Sequence, residues 1–286
     1  MPNDNKFAVL IDAENISDKY IKIILDEISN DGVATYKRIY GDWTNPALAS
    51  WKKVLLDNSI IPIQQYSYTA GKNASDSAMI IDAMDILYTG QVDGFCLVSS
   101  ESDFTRLAAR LREGGMLVVG MGERKTPKSF ISACNRFKYL DILATSEAPQ
   151  KASKQEKPEP AEQPRPARQK PQKQEKPEPP RQEPQKQPDP PREESGKEEP
   201  SKGGDAIGLA TIKKALKAIA RENSDEDGWV FIGTIGNLLV KRYPDFDVRN
   251  FGFSKLTPFL ESVGLFDIKS VRAPDNAGKL IYVKLR

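Results

Sequence analysis

Residues 94–122 read GFCLVSSESDFTRLAARLREGGMLVVGMG, and their pattern decides the architecture of the first half of the chain. FCLVS is a nearly continuous apolar run. A strand carries such a run when both of its faces are covered, which is the signature of a parallel sheet between helix layers. Between it and the second apolar run, MLVVGMG, DFTRLAARLREG has helical character and ends on the glycine pair Gly114–Gly115. The order strand, polar turn, helix, strand is a βαβ unit.

The same alternation extends upstream through KFAVLID, DKYIKIILDEIS, ATYKRIYGD, PALASWKKVLLDN, IIPIQQY and SDSAMIIDAMDILY. We therefore expect an α/β domain over residues 1–146, a parallel sheet sandwiched by helices. In the last of these segments Met79, Ile80, Ala83, Met84 and Leu87 recur at helical spacing, so most of that helix faces a core and its methionines are packing residues.

Residues 147–204 are a mixture of Lys, Glu, Gln and Pro holding fourteen of the 21 prolines. With almost no large apolar side chain, the segment cannot offset the entropy of ordering, and we read it as a disordered, semi-extended linker. Residues 205–286 differ again. IGLATIKKALKAIARENSDEDG, VFIGTIGNLLVKRYP and NFGFSKLTPFLESVG read as three helices, the last two stopped by Pro244 and Gly264, followed by a hairpin from LFDIKSV and KLIYVKLR. This predicts a small winged-helix-like α+β domain. Trp229 is expected to pack at a helix start.

Composition limits the chemistry. The chain has no histidine and only two cysteines, Cys96 and Cys134. A disulfide framework, a zinc cluster and a histidine general base are all excluded, and the two thiols read as core packing. The formal charge of +2 divides into −2 over residues 1–146, +1 over the linker and +3 over residues 205–286. An acidic body with a basic tail suggests separate tasks. The N-terminal apolar run is too short for a signal peptide and no stretch is long enough to span a membrane, so a cytoplasmic protein is expected.

In an open parallel sheet, ligands sit beyond the carboxyl ends of the strands. Acids fall there: Asp12 ends the first strand, Glu101 and Asp103 follow FCLVSS, and Asp76 opens a helix in KNASDSAM. Each has an ordinary alternative, since Asp76 and Asp103 stand where a helix N-cap is wanted and Asp12 where a turn needs an acceptor. Gathered together without cationic partners, however, they repel one another and call for a hard, oxygen-seeking cation such as Mg²⁺ or Mn²⁺. Asp82 lies about 240° around the helix from Asp76 at 100° per residue and is a secondary candidate. No glycine-rich phosphate loop follows the first strand, which sets aside a nucleotide-binding Rossmann enzyme.

The series DAENI, a lysine-led SD before an amphipathic helix, SSESDF and MLVVGMG resembles the NYN domains, a branch of the PIN-like nuclease superfamily, over roughly residues 5–145. The resemblance implies a PIN-like fold and a metal-dependent (endo)ribonuclease leaving a 5′-phosphate and a 3′-hydroxyl. It implies metal-coordinating roles for Asp12, Asp76 and Asp103, a positioning amide for Asn15, and a hydroxyl contact to metal or phosphate for Ser99. Glu101 stands where the family usually has aspartate; it is counted with the metal and catalytic set, and its longer side chain would shift the ion. Lys72, Arg106, Arg124, Lys125 and Lys128 flank the same sheet edge and are candidate phosphate contacts.

The string LLVKRYPDFDVRNFGFSKLTPFLESVGLFDI at 238–268 is similar to the OST-HTH/LOTUS domain, whose members bind RNA and in some eukaryotic cases dock helicase partners. Lys241, Arg242, Arg249 and Lys255 are the candidate RNA-binding cations there. Phe246, Phe251 and Phe253 offer stacking, although their spacing favours core positions for at least two. RNA is the expected partner, with a protein partner through the linker or the LOTUS-like domain as an alternative. A non-catalytic RNA-binding regulatory adaptor is the second functional reading.

Overall fold

Six parallel strands in the order β3-β2-β1-β4-β5-β6 form the core of the N-terminal domain. The computed structural model of the chain describes residues 5–66, 74–147, 207–272 and 279–286. Apart from Glu147, the segment read as a linker lies outside the described residues, as does Lys72. The N-terminal elements are β1 (Asn5–Asp12), α1 (Ile21–Asp31), β2 (Gly32–Gly41), α2 (Trp51–Asn58), β3 (Ile61–Gln64), α3 (Ala74–Thr89), β4 (Gly94–Val98), α4 (Thr105–Glu113), β5 (Leu117–Gly122), α5 (Lys128–Ala133), β6 (Arg136–Tyr139) and α6 (Leu140–Glu147).

The period of two along each strand sorts side chains onto two cores. Phe7, Val9 and Ile11 of β1 join Cys96 and Val98 of β4 on the face packed by α1, α2 and α6. Ala8 and Leu10 join Phe95 and Leu97 on the other face, against α3, α4 and α5. This alternation has a functional consequence. Asp12, next in register after Ile11, falls on the face of Ala8 and Leu10, the face covered by α3. Both cysteines are buried and free, and burial pushes both thiols up, Cys134 to about 12, so they stay neutral packing groups.

The strand order reverses direction between β1 and β4. Connections leave the two strands to opposite sides, opening a crevice at their carboxyl ends, the place where α/β sheets bind ligands. No helix among the described residues is long and apolar enough to cross a membrane.

The C-terminal domain comprises α7 (Leu209–Asn223), β7 (Trp229–Phe231), α8 (Ile232–Arg242), a 3₁₀ turn at Val248–Phe251, α9 (Leu256–Val263), β8 (Phe266–Arg272) and β9 (Lys279–Leu285). The three helices and the hairpin match the sequence reading. What differs is β7, read as the start of a helix but found as a third strand against β9. Trp229 therefore sits on the sheet, with Lys269 Nζ 3.9 Å from its ring centre. Phe246 is buried, Phe251 and Phe253 are half-buried, and all three pack on Phe259 with ring centres 5.1–5.8 Å away.

The strand β6 was not legible in the sequence, and it carries the contact between the two domains. Phe137 N–H donates to the Pro244 carbonyl at 2.7 Å, and the buried Tyr139 hydroxyl donates to Asp245 Oδ2 at 2.9 Å. Arg249 donates through both terminal nitrogens to the Glu27 carboxylate on α1, which Lys138 of β6 also grips. An unpaired edge strand invites association with other chains, and here part of that edge is covered by the chain's own second domain.

Candidate metal centre

Three acids converge at the crevice. Oxygens of Asp12, Asp76 and Glu101 lie within 4.8 Å of one another. Asp12 arrives at the end of β1, Asp76 in the first turn of α3, and Glu101 in the loop after β4. Asp12 and Asp76 are buried and Glu101 is partly so.

Asp12 is held by four donors. Its Oδ1 accepts the backbone N–H groups of Glu14 and Asn15, and its Oδ2 accepts Asn15 Nδ2 at 2.9 Å and Ser99 Oγ at 2.8 Å. The carboxylate thus shapes the turn after β1 as well as facing the crevice. Ser99 Oγ also accepts the Glu101 N–H at 3.2 Å, tying the two acids' loops together. The Asn15 amide also lies near enough to Glu101 to lower its carboxyl against the effect of burial.

Burial and mutual repulsion set the electrostatics of the site. Burial pushes the Asp76 carboxyl up, and the negative charges of Asp12, Glu101, Asp103 and Glu14 push it further, to about 7. Burial likewise raises Asp12 against the lowering effect of its hydrogen bonds. Glu101 is raised by burial and by the Asp12 charge. The donor set is carboxylate oxygen with no histidine or thiolate, which suits a hard divalent cation of the Mg²⁺ or Mn²⁺ class.

The structure separates the remaining predicted residues. Asp103 is exposed, hydrogen-bonded by Ser102 Oγ, and outside the converging set, though near enough for its charge to raise Asp76. It does not cap α4, whose N-cap is Phe104. Asp82 is engaged elsewhere, accepting from Arg38 and from the Tyr40 hydroxyl. Arg124, Lys125 and Lys128 follow β5 at the same end of the sheet, exposed, with Arg124 3.5 Å from Asp141 and Lys125 2.9 Å from Glu123. Arg106 pairs with Glu113 on its own helix. In the C-terminal domain Lys241, Arg242 and Lys255 are exposed, whereas the Arg249 guanidinium is taken up by Glu27 and Asp247.

Two features escaped the sequence reading. Glu14 accepts from Ser75 Oγ at 2.9 Å, linking the turn after β1 to the start of α3; its place two residues after Asp12 was the available signal. Gly122, at the end of β5, is packed so closely that a Cβ would lie 2.5 Å from the Ser99 carbonyl and 2.6 Å from Thr126 Oγ1. Gly122→Ala is expected to cost about 1–3 kcal/mol in chemical denaturation by overpacking. The displaced Ser99 would also loosen its grip on Asp12.

Residues 6–141 match the NYN domain family and residues 209–276 match the OST-HTH/LOTUS domain family. No curated protein matches the chain. Among solved structures, a protein of unknown function from Vibrio parahaemolyticus is 19% identical, with 48% of this chain and 93% of that one covered and a TM-score of 0.41. An uncharacterized protein from Nitrosomonas europaea is 28% identical over 33% of this chain and 90% of its own, with a TM-score of 0.25. MurG of Acinetobacter baumannii is 11% identical over 47% and 40%, with a TM-score of 0.33.

Proposed function

Because the chain joins an NYN domain, residues 6–141, to a C-terminal OST-HTH/LOTUS domain, residues 209–276, we propose that it is a metal-dependent ribonuclease whose second domain recruits RNA. The observation that carries this reading is the convergence of the Asp12, Asp76 and Glu101 oxygens at the crevice of the sheet. These three residues would hold a Mg²⁺ or Mn²⁺ ion. When bound, such an ion relieves the carboxylates' mutual repulsion and acts as a Lewis acid toward a phosphate oxygen.

The chain's own groups supply the rest. Asn15 and Ser99 orient Asp12, and Ser99 sets the position of Glu101 through its backbone. With no histidine in the chain, the proton of an attacking water passes to a carboxylate of this set. Asp103 stands next to it as an exposed acid adding negative charge. Arg124, Lys125 and Lys128, at the same end of the sheet, hold the phosphates flanking the scissile bond.

Incubation of labelled RNA with the full chain and Mg²⁺ or Mn²⁺ tests the proposal. Cleavage is expected with the native protein and is expected to be lost in Asp12→Asn. Cleavage undiminished in that variant, or absent in every divalent metal, overturns it. The presence of Glu101 where the family usually has aspartate favours a second reading, a non-catalytic RNA-binding adaptor. That reading requires RNA binding that is indifferent to divalent ions and to Asp12→Asn.

A further inference from the structure

The contacts between β6 and the C-terminal domain enclose a cleft of about 580 Å³. Its walls come from both domains: Arg112 at the end of α4, Asn135 and Arg136 at the start of β6, and Asn237, Lys241 and Arg242 on α8. Among the described residues, four of those lining it are cations and none is a carboxylate. All four cations are exposed.

Their pairing leaves donors over. Arg112 uses one terminal nitrogen on the Ser132 and Ala133 carbonyls, which fixes the guanidinium against the domain wall. Arg136 uses one on Asp31 at 2.7 Å, and Arg242 stands 3.7 Å from Glu222. A guanidinium has five N–H donors, so each of these can still meet an anion. Lys241 makes no salt bridge among the described residues. Two amides beside four cations make a lining that matches phosphate and ribose better than an apolar small molecule.

We propose that this interdomain cleft binds the phosphodiester backbone of RNA, with both domains contacting one strand. The inference rests on the reading of the chain as a protein that acts on RNA. The cleft lies at the amino ends of β5 and β6, whereas the acids lie at the carboxyl ends of β1 and β4. At about 3.3 Å per residue, the six-residue β5 sets the two roughly 15–20 Å apart along the strand direction. The docked second domain is thus a fixed upstream or downstream grip on the substrate, set at a defined distance from the proposed centre.

Binding of a fluorescently labelled RNA oligonucleotide to the full chain, measured by anisotropy in EDTA, tests this. Arg112→Glu in one domain and Lys241→Glu in the other are each expected to weaken binding by roughly tenfold and to reduce the slope of log K against log salt by about 1. A native circular dichroism spectrum and melting transition in each variant separate loss of charge from disturbed folding. Weakening by Lys241→Glu but not by Arg112→Glu assigns RNA to the C-terminal domain alone and overturns the composite site; so does native binding by both. RNA cleavage by a protein whose two charge reversals bind normally removes the cleft but not the nuclease. Charge-dependent binding of the predicted kind without cleavage in any metal removes the nuclease but not the cleft.

Discussion

Asp76→Asn is expected to lower RNA cleavage on the order of 10³-fold, about 4 kcal/mol of transition-state stabilisation, while raising the melting temperature measured in EDTA. The two effects have one cause. Asp76 is 5% exposed and faces Asp12, Glu101, Asp103 and Glu14, so its charged form is disfavoured by burial first and by repulsion second. An amide of the same shape removes both penalties and also removes a proposed metal ligand. Relief of about 1–2 kcal/mol would move the melting point by several degrees in a protein of this size. A rise in melting temperature on adding Mn²⁺, expected of the proposed site, should shrink in the variant, because ligand-linked stabilisation depends on affinity for the folded state. A lower melting temperature in EDTA would mean that Asp76 is a structural acid, and the site would have to be read differently.

Glu27→Gln is expected to destabilise the full chain by up to about 3 kcal/mol in urea near neutral pH and to weaken the docking of the two domains. Burial alone would raise the Glu27 carboxyl, but hydrogen bonds from Arg249 and Lys138, with their positive charges, outweigh it and hold the group down at about 2 from an ordinary 4.5. That difference corresponds to about 3 kcal/mol, an upper figure because Arg249 is 31% exposed and water screens the pair. A carboxyl whose folded value is depressed contributes fully above its unfolded value and loses that contribution as pH falls through its folded value. The stability gap between native and variant chains should therefore be constant above about 4.5 and close as pH falls toward about 2. A gap that is absent at neutral pH, or that widens in acid, would show that this pair does not hold the domains together.

How much of this was legible without coordinates depended on how local each cause is. The strands β1, β4 and β5 were visible because each is covered on both faces, which forces an unbroken apolar run. Asp12 and Glu101 stood out as polar residues just past such runs. The strand β6, RFKY, alternates in burial over only four residues, too short for a pattern to emerge. The helix read from Val230 begins at Ile232 instead, because Trp229–Phe231 owes its strand conformation to β9, more than fifty residues later. Asp82 looked like a spare acid beside Asp76, but Arg38 and Tyr40 on β2 occupy it.

The amino-acid sequence by itself determined the two domain types, the parallel order of layers, and the delivery of acids to the carboxyl ends of the central strands. The layers and the placing of the acids follow from periodicity, a property of short stretches, and the domain types from the resemblance carried by motifs such as DAENI and SSESDF. Only the tertiary structure decided that Glu101 joins Asp12 and Asp76 while Asp103 stays exposed, because hydrogen bonds of Ser99 and Ser100 to Asp12, Glu101 and Glu123 fix the loop after β4. It also turned Arg249 from a candidate RNA contact into a clamp on Glu27, 222 residues away. Pairings at that separation depend on how whole domains dock, and no local pattern of side chains encodes them.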